Sequence, residues 1–208
     1  MRDRILIKTA GRTGSHVLAQ QHGERLNLLR TIHNHDYPLE ELYSLQGPVV
    51  VHDHTMNVPD NAQEWDLVVS LRRSVYDQAV SFCIAKSTDN FGHAPARSGE
   101  YIIDDELFLI TLKNYKVVNY YWQLIAQLYS WRSVETVYWE DLQPLDRTYG
   151  WNHPSAGNNR VVNHDQLQAL AQKYLDNHNW AIDQAAHRAA RYIGTIGRVA
   201  ARALLVGD

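Results

Sequence analysis

The segment Thr9-Ala10-Gly11-Arg12-Thr13-Gly14-Ser15 is the part of the chain best equipped for chemistry. It follows a short β-branched apolar run, Arg4 to Lys8, and precedes a helical pattern in Val17, Leu18, Gln21, Arg25, Leu28 and Leu29. A turn in that position offers an anion the unpaired N–H groups and the positive dipole end of a helix. Its glycines let the backbone approach a ligand closely. The segment is not the nucleoside-triphosphatase loop G-x-x-x-x-G-K-[ST], because only two residues separate its glycines and no lysine precedes Ser15. The alternative is a simple strand-to-helix turn.

Arginine and histidine supply the other candidates. Arg72 and Arg73 end the apolar run Leu67 to Leu71, and Ser81 follows Arg73 by eight residues. On a helix that spacing is a little over two turns, and a guanidinium suits an oxyanion because it donates two parallel hydrogen bonds. His52 and His54 follow Val49-Val50-Val51, and His33-x-His35-Asp36 lies upstream. A histidine has the near-neutral pKa that a general base needs. Imidazoles with a carboxylate also bind zinc or iron. Alternate residues of an extended strand point apart, so His52 and His54 would chelate one ion only if the strand ends between them. The expectation is a site without metal.

Three segments in order resemble the sulfotransferases that use 3′-phosphoadenosine 5′-phosphosulfate. The family's phosphosulfate loop runs Thr, two variable residues, Lys or Arg, Ser or Thr, Gly, Ser or Thr, and Thr9, Arg12, Thr13, Gly14 and Ser15 match it. The family's arginine at a strand end, with a serine eight residues later, corresponds to Arg73 and Ser81. Its strand ending in Tyr-Glu-Asp-Leu, with an aromatic near the adenine, is similar to Val137-Tyr138-Trp139-Glu140-Asp141-Leu142. The match covers about Arg4 to Leu142.

The resemblance implies that Arg12, Thr13, Gly14, Ser15 and His16 hold the donor's phosphosulfate end, with Arg12 also serving the chemistry. Arg73 and Ser81 would take its 3′-phosphate and Trp139 would lie near the adenine, although core packing explains Trp139 as well. It places His54 at the family's general base, in a segment that continues to Pro59, and His52 where a lysine or arginine usually stands. Glu140 and Asp141, read as neighbours on a strand, would point to opposite faces and share no acid–base work. Two features depart from the pattern. Val17 stands where the family often has an adenine-stacking aromatic, and no clean Arg-Lys-Gly segment completes the 3′-phosphate site, for which Arg160 is the remaining candidate. The implied reaction moves a sulfuryl group to a hydroxyl or amine of a small molecule, sugar or peptide and releases adenosine 3′,5′-bisphosphate. The alternatives are a kinase-like phosphotransferase and a non-catalytic nucleotide-binding protein.

The elements that must position these residues alternate. Strand patterns lie at Arg4 to Lys8, Pro48 to Val51, Asp66 to Leu71 and Glu135 to Tyr138, and the run Leu67, Val68, Val69 and Leu71 is apolar enough to be buried on both faces, which suits a parallel sheet covered by helices. Helices are expected after Arg73 to about Lys86, from Asp104 to about Trp131 with Asp104 as cap, from His164 to Asp176, and from Trp180 to Leu205. Ser87 to Gly99 and Gln143 to Asn163 read as loops. The fold class is therefore a three-layer α/β domain with a mostly parallel central sheet, similar to P-loop nucleotide-binding folds.

Composition sets the outer bounds. With 208 residues, 45% of them hydrophobic and 21% charged, the chain suits one folded domain spanning 1–208. Twenty basic and 23 acidic side chains give a net charge of −3, which argues against a nucleic-acid partner. The single Cys83 excludes an intrachain disulfide and a Cys-rich zinc site. No long apolar stretch suggests a signal peptide or membrane span, so a cytoplasmic protein is expected, with a homodimer as a candidate assembly. His187, Arg188, Arg191, Arg198 and Arg202 read as a solvated helix face.

Overall fold

Arg4–Thr9, six consecutive buried residues, form β1, the middle strand of the sheet. Burial along the whole run follows from its position, because an interior parallel strand is covered on both faces. A computed structural model of the chain describes residues 3–28, 31–89, 99–142 and 159–190. They sort into two compact units. The first holds the described residues up to Arg73, from Val117 to Asp141, and from Asn179 onward; the second holds Ser74–Lys116 and the described part of Leu142–His178.

In the first unit β1 is followed by α1 (Ser15–Arg25), β2 (Ile32–His33), α2 (Leu39–Ser44), β3 (Val49–Asp53) and β4 (Asp66–Leu71). Later come the second half of α4 (Asp105–Leu128), β6 (Ser133–Tyr138) and a helix over 178–190, here α6. The five strands are all parallel, in the order β2-β3-β1-β4-β6. Leu6 lies beside both Val51 and Leu67 in register, so these three residues share a face. On that face Leu67, Val69 and Leu71 pack with Val117, Val118, Tyr121, Leu124 and Ile125 of α4 and with Ala181, Ala185 and Ala189 of α6. Leu6, Val49 and Val51 pack there with Trp65 and with Leu42 of α2. The opposite face is covered by α1, whose Val17, Leu18 and Ala19 are buried. The architecture is thus α/β, with a parallel sheet between helical layers, as the alternating pattern predicts.

The second unit contains α3 (Val75–Ser87), the first half of α4, β5 (Gly99–Tyr101), β7 (Asn159–Val161) and α5 (His164–Leu175). β5 and β7 make a two-stranded parallel sheet. Asn163 closes that sheet by exchanging two hydrogen bonds with the Ile103 backbone, at 3.1 and 2.8 Å. Asp104 caps α4 as expected, its carboxylate accepting from the Leu107 N–H at 2.7 Å. Lys116 donates to the carbonyls of Tyr174 and Leu175, both at 2.6 Å, at the carboxyl end of α5.

The short elements β2, α2, β5 and β7 are absent from the sequence expectation, and α1 ends at Arg25, so Leu28 lies beyond it. Most of the two expected loops, 90–98 and 143–158, lies outside the described residues, as do Leu29, Arg191, Arg198 and Arg202. Among the described residues no helix is long and apolar enough to cross a membrane.

Candidate functional site

The loop after β1 has left-handed backbone at three positions, Gly11 (φ 89°), Arg12 (φ 55°) and Gly14 (φ 69°). For Arg12 this conformation costs about 1–2 kcal/mol, so the surroundings must hold it. They do so through hydroxyls. The Thr9 hydroxyl accepts from the Gly11 N–H at 3.0 Å and lies 2.5 Å from the Thr13 hydroxyl. The Ser70 hydroxyl, next to Thr9 in the β1–β4 register, lies 2.9 Å from both the carbonyl and the hydroxyl of Thr13. Thr9, Thr13, Ser15 and Ser70 are all buried, whereas Arg12 and Gly14 are half-buried. Thr13 therefore ties the loop to the sheet with its side chain. Gly14 caps α1 without a side-chain hydrogen bond, and its carbonyl accepts from Val17 N–H at 2.9 Å.

His16, His33, His52 and His54 meet on the face of the sheet that α1 covers. His33 and His52 are partners in the β2–β3 register, so their side chains leave the same face, with ring centroids 4.5 Å apart. β3 ends at Asp53, so His54 lies just beyond the strand, and its ring returns to within 4.4 Å of the His52 centroid. His16, in the first turn of α1, comes within 4.5 Å of the His52 ring. His35 stacks on His33 at 4.6 Å. His52 is 2% exposed, and neither of its ring nitrogens has a hydrogen-bond partner. Leaving one buried polar group unpaired costs about 1–3 kcal/mol. Burial, followed by the neighbouring histidines, holds the His52 pKa well below its ordinary value. Burial, then His33 and His16, lowers His54 to about 4, while burial and His35 lower His33. These rings are neutral at physiological pH. His52 therefore carries no charge where the resemblance would put a cation.

At the end of β4 the arginines already have acidic neighbours. Arg73 donates from both terminal nitrogens to the Asp141 carboxylate, at 2.9 and 2.6 Å. Its guanidinium lies 4.8 Å from the centre of the Tyr138 ring, and its backbone N–H donates to the Glu140 carboxylate at 3.2 Å. Arg72 Nε lies 3.8 Å from Glu140 Oε1. β6 ends at Tyr138, and Trp139, Glu140 and Asp141 form a single 3₁₀ turn. The acidic pair therefore does not point to opposite faces of a strand, because both carboxylates reach Arg73. Trp139 is half-buried in that turn. Ser81 lies on α3, in the second unit. Arg160 is in β7, and its side chain lies outside the described residues.

Sequence reasoning missed Lys8 and Asp53, adjacent in the β1–β3 register and both fully buried. Lys8 donates to the Asp53 carboxylate, to the Tyr43 hydroxyl at 2.9 Å and to the Asn57 carbonyl at 2.7 Å. Burial lowers Lys8 to about 8 against the pull of Asp53. Burial alone would raise Asp53, but the Lys8 ammonium, the Tyr43 hydroxyl and the Thr55 N–H more than offset it and hold the carboxyl below its ordinary value. The pair is ionised at neutral pH and anchors the strand ends beneath the histidines. A charged residue inside an apolar strand run was the available signal, since such a charge needs a partner.

No protein-family model, curated protein or solved structure matches the chain. What fold and site define is an α/β protein with a hydroxyl-braced glycine loop and a histidine cluster at the carboxyl edge of its sheet.

Proposed function

We propose that the chain is a sulfotransferase-like enzyme, moving a sulfuryl group from 3′-phosphoadenosine 5′-phosphosulfate to a hydroxyl or amine acceptor. One observation carries this reading. The middle strand β1 ends in a loop with left-handed backbone at Gly11, Arg12 and Gly14, and the loop opens on a helix that no side chain caps. In open parallel sheets ligands bind outside the carboxyl edge, where the connections diverge. Here the chain leaves β1 toward β2 and β3 on one side and leaves β4 toward β6 on the other.

In the transfer the acceptor oxygen or nitrogen bonds to sulfur while the bond from sulfur to the bridging phosphate oxygen breaks. Adenosine 3′,5′-bisphosphate leaves with that electron pair, and the acceptor's proton passes to a base or to water. The loop N–H groups and Arg12 would stabilise the charge that gathers on the leaving group. Arg73 is the candidate for the 3′-phosphate, in exchange for Asp141, and His54 is the candidate base.

A second reading, donor binding without turnover, draws support from His54. A general base works best with a pKa near the working pH, and burial holds His54 at about 4.

A thermal-shift panel followed by a transfer assay tests both readings. Adenosine 3′,5′-bisphosphate should raise Tm clearly more than AMP or ATP does, and labelled sulfuryl should then appear on a member of a hydroxyl and amine panel. Equal shifts for AMP would remove the 3′-phosphate site. A larger shift with ATP and Mg²⁺ would favour a kinase-like enzyme, and the expected shift without transfer to any acceptor would favour the binding protein.

A further inference from the structure

The four histidines come from separate places in the chain: the first turn of α1, β2, β3 and the residue after β3. One nitrogen from each of His16, His33, His52 and His54 lies within 4.8 Å of all the others. Ring packing accounts for the close centroids. It does not account for His52, whose two ring nitrogens are both buried and without a hydrogen-bond partner.

We propose that His16, His33, His52 and His54 form a binding site for a divalent first-row transition ion, with zinc the best fit.

The donor set selects that class. Four imidazole nitrogens without a thiolate suit zinc, copper or nickel and do not suit calcium or magnesium, which need oxygen ligands. Zinc takes nitrogen at about 2.0–2.1 Å in a tetrahedron, which puts the nitrogens about 3.3–3.4 Å apart. The rings must therefore draw in by roughly an ångström, a motion that side-chain torsions can supply. Coordination would satisfy one nitrogen of His52 that now has no partner. At His33 it would compete with a single long bond, the 3.3 Å hydrogen bond that Nδ1 accepts from the His35 N–H. The carboxylates of Asp36 and Asp53 lie within electrostatic reach of His33. The β3 strand ends between His52 and His54, which is the condition for both to reach one ion.

The site shares His54 with the proposed sulfuryl transfer. An ion that takes the lone pair of His54 leaves that ring unable to accept a proton, so the metal-bound form and a His54 base exclude each other. Metal binding is therefore measured directly.

Tag-free protein is stripped with chelator and titrated with Co²⁺ and then with Zn²⁺. The expected result is uptake of one ion per chain, with the strong visible absorption of four-coordinate Co²⁺, which Zn²⁺ then displaces. His52→Ala should weaken binding by at least about 10–100-fold, the range found even when a residue behind the ligands is lost. Because His52 is buried and its variant can fail to fold, His16→Ala is tested beside it: His16 is exposed, and its loss should reduce affinity on the same scale. His187→Ala, exposed on α6, should bind as wild type does. The proposal is overturned if wild type takes up no stoichiometric Co²⁺ or Zn²⁺ at micromolar concentration. It is equally overturned if bound Co²⁺ gives the weak spectrum of six-coordination, or if folded His16→Ala and His33→Ala proteins bind like wild type.

Discussion

Asp141 holds both terminal nitrogens of Arg73, at 2.9 and 2.6 Å, so the arginine proposed for a phosphate already carries a carboxylate. Both side chains are more than half exposed, and such a pair is weak enough for a phosphate to displace. If Arg73 does take the 3′-phosphate, Asp141→Asn should tighten adenosine 3′,5′-bisphosphate by removing the competitor. Arg73→Ala should weaken it by about 1.5–3 kcal/mol, the usual scale for a hydrogen bond to a charged group. Calorimetric titration of both variants checks this. Unchanged affinity in both would send the 3′-phosphate elsewhere, to Arg72 first.

The loop is braced by hydroxyls and by glycine, so two substitutions should act differently. Gly14 at φ 69° lies in the left-handed region, and Gly14→Ala should cost about 1–2 kcal/mol of stability. Thr13→Val keeps the shape but removes the hydroxyl bonded to Thr9 and Ser70. It should cost about 1–3 kcal/mol because buried partners lose a bond. Urea unfolding measures both. A Thr13→Val protein as stable as wild type would show that the network does not brace the loop.

Much of the sheet's centre is legible in the sequence because β1, β3 and β4 are buried, largely apolar runs and α4 is periodic. β4 and α4 fall within a few residues of their expected bounds, and Asp104 caps as its type predicts. Strands of two or three residues such as β2, β5 and β7 carry no period to read, since they exist only through pairing. The histidine cluster was half-visible. His52-x-His54 and His33 stand out by type, but the meeting of His33 with His52 is a matter of register between strands. His16 joins them only because α1 crosses that face. The Glu140–Asp141 geometry was misread for a local reason: the strand stops at Tyr138, and a 3₁₀ turn rotates both carboxylates toward Arg73.

Stability should fall with acid in a window set by the histidines. In the metal-free protein His54 has its pKa lowered to about 4, and His52 is lowered well below its ordinary value. The unfolded chain takes up these protons near pH 6.5, whereas the folded chain resists them. The stabilisation is thus fully present above about pH 6.5 and declines as pH falls toward 4, by on the order of 1 kcal/mol per pH unit for each such ring. Unfolding free energies at a series of pH values should show this slope, and His54→Phe should reduce it. A flat profile between pH 7 and 5 would mean that the rings protonate as readily in the fold as outside it.

The buried pair of Lys8 and Asp53 gives a prediction about coupling. Neither side chain is exposed, and each is the other's counter-charge. Lys8→Met removes the ammonium and leaves a carboxylate that only Tyr43, Thr55 and water could satisfy. Asp53→Leu leaves an ammonium held by the Tyr43 hydroxyl and the Asn57 and Thr55 carbonyls. Breaking a buried pair from one side costs about 3–5 kcal/mol, because the remaining charge stays desolvated, whereas replacing both partners by apolar groups is often nearly neutral. Each single variant should therefore be destabilised by about 3–5 kcal/mol, and the double variant by less than either single one. Asp53→Leu should suffer less if Lys8, already lowered to about 8, simply loses its proton, and its stability should then rise as pH passes from 7 to 9. A double-mutant cycle in urea reads the coupling directly. Additive losses in the cycle would show that the two charges are held independently and that the strand ends beneath the histidines do not depend on their pairing.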